Sequence, residues 1–225
     1  MDHLPIFLNV KGKKIIVDGG GTLAARRVER ALDAGALVHV FAKELGGEFR
    51  KLRNHPDLTH HTHTPTAQDF SDATVAYGAT ENVQRDRELY DMANKQNVLA
   101  NVADVTEYCD FITPSIIDRS PLVIAISSGG AAPIIARILR ARIEAILPTA
   151  YGKLAAFSGR LRDRVMAKLN TPEARRLFWE NTIDGPVADI FLAGDVEGAK
   201  KQFLKELDAR SEERRVGKEC RSRLS

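Results

Sequence analysis

The stretch IIVDGGGTLAARR, Ile15 to Arg27, decides how the first half of the chain is read: an apolar run meets three glycines and restarts at helical spacing. Gly19, Gly21 and Ala24 fit G-x-G-x-x-A between a predicted strand, Lys14–Val17, and a predicted helix, Leu23–Ala34, whose Leu23, Ala24, Val28, Ala31 and Leu32 share a face and stop at Gly35. In that setting the first glycine makes a tight turn, the second lets backbone approach a pyrophosphate, and the third small residue lets the helix pack closely on the sheet. Amides at the helix start, with the favourable end of its dipole, then face the phosphates. Gly19, Gly21, Thr22 and Leu23 are the expected cofactor contacts. A purely structural turn is the competing reading, and the strand on either side favours a dinucleotide. The second strand, Ala36–Phe41, leaves Lys43 and Glu44 just beyond its tip. Glu44 suits a ribose hydroxyl and Lys43 an extra phosphate, and the two remain open. Asp18, directly before the glycines, either repels a pyrophosphate or turns into a hydrogen bond.

Outward from this turn, strands and helices alternate. A helix near Gly47–Arg53, a polar edge strand Leu58–Thr64, a strand Thr74–Ala79, a helix Asn82–Asn94 and a strand Asn97–Val102 follow. Such alternation implies βαβ units and a parallel sheet covered on both faces. Past Phe111, FITPSII and LVIAIS read as two strands that pair with each other or join the sheet edge. A helix Pro133–Leu147 carries Ile134, Ile135, Ile138, Leu139, Ile143, Ile146 and Leu147, an apolar face wide enough to need a partner. The expected class is α/β: a Rossmann-like parallel sheet domain (1–113), a strand-helix dimerisation segment (114–150) and a small helical domain (151–209).

The formal charge of +3 is carried by the last sixteen residues, which hold six Lys/Arg and three Asp/Glu; residues 1–209 hold 27 of each. The body is therefore neutral and gives no footprint for nucleic acid. Residues 210–225 lack apolar periodicity, read as disordered, and resemble translated adaptor DNA rather than native sequence. No stretch is apolar for the roughly 18 residues that a membrane helix needs, and MDHLPIF is no secretory signal. With Cys220 in the tail, Cys109 alone makes no intrachain disulfide, which suits a reducing, cytoplasmic setting.

Three further features carry chemistry. Asp104 follows the fifth predicted strand at the carboxyl edge, where ligands of such sheets bind; a helix cap is the bland alternative. SSGG, Ser127 to Gly130, sets hydroxyls and amides ahead of a helix, either as an anion cradle or as small residues that a helix start needs. HHTH, His60 to His63, puts His61 and His63 on one face, and an exposed edge strand outweighs a metal site there, so no metal ligands are assigned.

Taken together, MDHLPIF, GGGTLAARR, NVAD, CDFITPSIIDRSPLVIAISSGGAAPIIAR and RRLFWE resemble the N-terminal precorrin-2 dehydrogenase and sirohydrochlorin ferrochelatase module of siroheme synthase, from Met1 to about Ala209. The resemblance implies siroheme biosynthesis in two steps at one site: NAD takes a hydride from precorrin-2 as a proton leaves, and ferrous iron, a substrate, then enters sirohydrochlorin as pyrrole protons depart. It implies Asp104 as general base, and Ser127, Ser128, Gly129 and Arg119 as donors to substrate carboxylates, with Arg137 as a weaker candidate. Ser128 is a candidate phosphorylation point, because added negative charge would repel an anionic substrate. A homodimer is implied, with neither nucleic acid nor membrane as partner. No methyltransferase domain follows, as if the chain were a fragment. Two departures from the family pattern bear on cofactor affinity: Asp18, and Tyr77–Gly78 in AYGATEN, expected near the adenine or nicotinamide. A non-catalytic NAD-binding assembly or sensing module would keep the glycines without depending on Asp104.

Overall fold

Alternation along β1 (Lys14–Asp18) sends its side chains to two layers. Ile15 and Val17 join the core beneath α1 (Thr22–Asp33), and Ile16 joins a second core beneath α2 (Val83–Lys95). The computed structural model describes residues 2–222, with side chains through residue 212. β1 lies inside a five-stranded parallel sheet ordered β3-β2-β1-β4-β5, where β2 is Leu37–Phe41, β3 Leu58–His61, β4 Ala73–Gly78 and β5 Leu99–Val102. The strand order reverses between β1 and β4, the switch point at which such sheets open a crevice. In register, Phe41, Asp18, Gly78 and Val102 form the last row at the carboxyl edge.

Small residues let α1 lie close on the sheet: Ala24, Ala25 and Ala31 are buried beside Val28 and Leu32. Each fully buried Val or Leu contributes about 1.5–3 kcal/mol. Asn82 accepts a hydrogen bond from the Arg85 amide at 3.0 Å, which fixes the start of α2. The expected helix at Gly47–Arg53 is instead a 3-10 turn, Gly47–Lys51, anchored by buried Phe49. β3 stops at His61 because its partner β2 stops at Phe41.

The chain forms two compact units, one comprising the residues through Pro114 with Ser127–Pro133, the other Ser115–Ile126 with the residues from Ile134 onward. Segment 114–150 is thus shared between them rather than standing alone. β6 (Ser115–Arg119) and β7 (Leu122–Ile126) pair antiparallel in a two-stranded sheet of their own, apart from the larger sheet. In the second unit come α3 (Pro133–Ile146), α4 (Ala150–Lys168), α5 (Pro172–Ile183), α6 (Pro186–Leu192) and α7 (Val196–Ser222). Gly152 of α4 is required by contact with β6: a Cβ there would lie 1.9 Å from the Arg119 carbonyl oxygen. Leu154, Phe157, Leu161 and Val165 stripe α4 and meet Phe178, Phe191 and Phe203 in an aromatic core. α7 continues through Ser222, which corrects the expectation of disorder from residue 210: Glu, Arg and Lys are good helix formers, and no proline interrupts the helix packed through Phe203 and Leu207. Residues 223–225 of that tail and the Cys220 side chain lie outside the described residues.

A candidate nucleotide and substrate site at the carboxyl edge of the sheet

The glycine turn is built by close backbone approach. Gly19 donates its amide to the Phe41 carbonyl (2.9 Å), and Ala79 donates to the Asp18 carbonyl (2.8 Å). Gly19 sits at φ +136°, where a Cβ would meet the Ala79 oxygen at 2.2 Å; one on Gly20 would meet the Glu44 oxygen at 2.2 Å. Gly21 is open and begins α1 with no side-chain cap and no acid in the first turn. Orphan amides at a helix start that has no capping side chain and no acidic residue of its own in the first turn fit the phosphates of a dinucleotide. The Thr22 hydroxyl donates to the Glu48 carboxylate at 2.8 Å, so an oxyanion already occupies that donor. A bond from its own backbone and the one from Thr22 hold the Glu48 carboxyl below its usual range. Leu23 packs half-buried against the α1 core. Lys43 and Glu44 are exposed beyond β2, around a cavity of about 520 Å³ shared with Leu45, Arg53, Leu58 and His60. Both charge signs line it, so the ribose and phosphate readings both stand.

Asp18 is 1 % exposed. Strand parity puts its side chain with Ile16 on the α2 face, opposite the helix whose start would meet the phosphates. There Arg85 grips it with both arms, Nε to Oδ2 at 2.8 Å and Nη2 to Oδ1. Burial pushes the Asp18 carboxyl up, the Arg85 hydrogen bond and charge pull it down, and Asp86 pushes it up again. The hydrogen-bond alternative for Asp18 is therefore the one realised. Removing one member of a fully buried pair costs about 3–5 kcal/mol, less here because Arg85 is one third exposed.

AYGATEN builds the start of α2. Gly78 makes room for buried Asp86, whose Oδ1 would lie 3.1 Å from a Cβ at Gly78 and which accepts from both the amide and the hydroxyl of Thr80. Tyr77 faces α1 and packs edge-on against Phe111 with Arg27 over its ring at 5.4 Å. Alternation along β4 turns it beneath α1, the helix that starts at the glycine turn.

Asp104 follows β5, exposed, with φ +60°. Asp tolerates this left-handed region better than most residues. Asp72, Glu81 and Asn97 share the conformation, so it is the position at the carboxyl edge that distinguishes Asp104. Thr106, two residues on, stands beside the SSGG loop, 3.9 Å from where a Gly130 Cβ would be, and His3 stands 3.6 Å from the corresponding point at Gly129. The loop holds itself in shape: Ser127 Oγ accepts from the Gly129 amide and Ser128 Oγ from the Ala132 amide, each at 3.1 Å, while Gly129 and Gly130 take left-handed φ. Arg27, half-buried, has Tyr77, Cys109 and Asp104 among the charges around it; burial lowers its pKa most, and these three oppose that. Sequence reading missed Arg27, although a charged residue three after Ala24 and four before Ala31 on a buried helix face was a visible signal.

Arg119 belongs to the second unit, where its guanidinium donates to the Leu147 and Asp118 carbonyls and to Glu144, three of its five N–H groups. Arg137 is exposed on α3. His61 and His63 do share a face, and His39 joins them: His39 Nδ1 lies 3.0 Å from His61 Nε2, and both His61 and His63 pack on Phe41. His60 instead bonds to the Ala42 carbonyl.

Three family models match the chain in succession. Residues 6–115 match one described as "Putative NAD(P)-binding", residues 119–146 "Sirohaem biosynthesis protein central", and residues 150–207 "Sirohaem synthase dimerisation region". Siroheme synthase of Nitrosococcus oceani is 40% identical over 200 residues, 89% of this chain and 43% of that protein. Siroheme synthase 2 of Halorhodospira halophila is 44% identical over 223 residues, 95% of this chain and 44% of that protein. The chain thus spans less than half the length of these curated relatives. A solved structure, "SirC, precorrin-2 dehydrogenase", shares the fold with a TM-score of 0.73 at 22% identity, covering 92% of this chain and 100% of that one. The chain belongs to the siroheme synthase family.

Proposed function

We propose that this chain oxidises precorrin-2 to sirohydrochlorin with NAD and then inserts ferrous iron, as substrate, to give siroheme. The observation that carries the reading is the shared edge of the sheet: Asp104 stands past β5 in the same row of strand ends as the uncapped glycine turn before α1. Gly19, Gly21 and the first amides of α1 would hold NAD, with Lys43 and Glu44 toward its ribose. When bound, NAD supplies the hydride acceptor for the first step. Asp104 takes the proton that leaves precorrin-2 in that step and accepts pyrrole protons as iron enters. An exposed carboxylate in an open loop can release them to water and repeat. The Ser127–Gly130 loop, beside Thr106 and His3, offers hydroxyls and amides to substrate carboxylates. Phosphorylation of Ser128 would add charge there and oppose substrate binding, and it would displace the Ala132 amide from its hydroxyl.

The protein acts as a homodimer. Supporting this, α3 leaves Ile134, Ile135, Ile138, Leu139 and Ile146 between 40% and 78% exposed, and residues 150–207 match a dimerisation family. An apolar patch of that kind on one helix marks an interaction surface. Among the described residues no helix is long and apolar enough to cross a membrane.

The test is to incubate purified protein with precorrin-2, NAD and ferrous iron and follow the tetrapyrrole spectrum. Formation of sirohydrochlorin and then siroheme, lost in Asp104→Asn, is expected. A protein that binds NAD yet leaves precorrin-2 unchanged overturns the catalytic reading and leaves a nucleotide-binding module.

A further inference from the structure

We infer that Arg85 is a positioning residue for the cofactor turn: it neutralises Asp18, so that a carboxylate at the base of the glycine turn does not oppose the phosphates of NAD. This deepens the NAD reading above and rests on it. Asp18 is the last residue of β1, its carbonyl accepts from the Ala79 amide, and the next residue is Gly19. Its side chain is 1 % exposed and held by both arms of the Arg85 guanidinium, which reaches it from the start of α2. The neighbouring strand ends, Phe41 and Gly78, bring no charge, and from α2 the only other charged group acting on Asp18 among the described residues is Asp86. Asp86 is itself tied to Thr80. Arg85 is therefore the one cation set against Asp18, and without it the base of the turn carries an uncompensated negative charge.

A further feature makes that charge consequential. Glu48 already sits on the Thr22 hydroxyl, and the Glu81 carboxylate lies 3.9 Å from where a Gly21 Cβ would be. The mouth of the turn is thus acidic for an anion site, and a third carboxylate at its base would add to an existing opposition. A unit charge about 10 Å from a phosphate, at an effective dielectric constant of about 20, changes affinity by about tenfold.

The experiment is calorimetric titration of NAD into wild type, Arg85→Met, Asp18→Asn and the Asp18→Asn/Arg85→Met double variant between pH 6 and pH 8, with thermal midpoints measured alongside. Arg85→Met should bind NAD about tenfold more weakly at pH 8 and recover toward wild type as acid protonates the buried, now unpaired Asp18. The double variant, with nothing left to neutralise, should bind within about threefold of wild type and without that pH dependence. A purely structural role for Arg85 would not produce the acid recovery. Arg85→Met binding like wild type at pH 8 overturns the inference. So does a double variant as weak as Arg85→Met, because Arg85 would then touch the nucleotide itself. If Arg85→Met does not fold, the comparison passes to Asp18→Asn against the double variant: equal affinities support the inference, and a tenfold weaker double variant overturns it. Wild type that fails to bind NAD at all overturns the NAD reading instead.

Discussion

Replacing Asp104 separates chemistry from backbone conformation, because the structure gives the two different determinants. The residue is exposed and stands at φ +60°, so its side chain buries little while its backbone occupies a region costly for most side chains. Asn shares the tolerance of Asp for that region, whereas Ala pays about 1–2 kcal/mol. Asp104→Asn should therefore melt within about 1 °C of wild type, and Asp104→Ala should melt lower by roughly 2–8 °C, since 1 kcal/mol shifts the midpoint of a chain this size by about 2–4 °C. Neither variant removes a residue of the glycine turn, so NAD affinity should stay within about twofold of wild type. The amide cannot take a proton as a carboxylate does. Precorrin-2 oxidation should fall about 10²–10⁴-fold in both, which is roughly 3–5 kcal/mol of transition-state stabilisation. Anaerobic stopped-flow absorbance with NAD saturating measures the oxidation, and differential scanning calorimetry measures the midpoint. An Asp104→Asn protein that is folded, binds NAD and oxidises precorrin-2 within tenfold of wild type would refute the assignment of the proton acceptor.

Gly19→Ala places a methyl 2.2 Å from the Ala79 oxygen at φ +136°, so it should lower stability by about 2–4 kcal/mol and abolish NAD binding, read by thermal shift with and without the nucleotide. His39 and His61 have their pKa values pushed below 6.5, first by burial and then by neighbouring cations and imidazoles, so the unfolded chain binds more protons than the folded one. Stability should accordingly fall as pH drops through 6.5, and His39→Asn should flatten that fall in thermal midpoints taken between pH 5.5 and pH 7.5. Ile135→Asp with Ile138→Asp on α3 should convert a dimer to a monomer in sedimentation velocity without changing the helical circular dichroism.

How much of this was legible beforehand depended on sequence distance. The β1–turn–α1 unit was readable because every rule it obeys acts within about ten residues: strand parity, glycine geometry and helical spacing. The strand end that shifted to His61 depends on where the partner strand β2 stops, which no local pattern reports. β6 and β7 left two pairings open for the same reason: their alternation fits either one, and the structure pairs them with each other. At residue 210 composition pointed toward disorder while helix propensity and the packed turn before it pointed the other way, and the latter prevailed.

Asp18 shows the other limit. Its parity was available from the sequence: Ile15 and Val17 turn toward α1, so Ile16 and Asp18 turn away, and the carboxylate could have been assigned to the α2 face without a structure. What the sequence withheld was Arg85, 67 positions on, because only the crossover through β4 brings the start of α2 beside the end of β1. A charge before a phosphate turn reads as a defect when its neighbours in sequence are the only ones considered. Arg85 lies on the helix that follows β4, the strand across the switch point from β1, so the two halves of the crevice share one ion pair. The pair therefore depends on the spacing of β1 and α2, and on the inference above that spacing bears on cofactor affinity as well as on the fold.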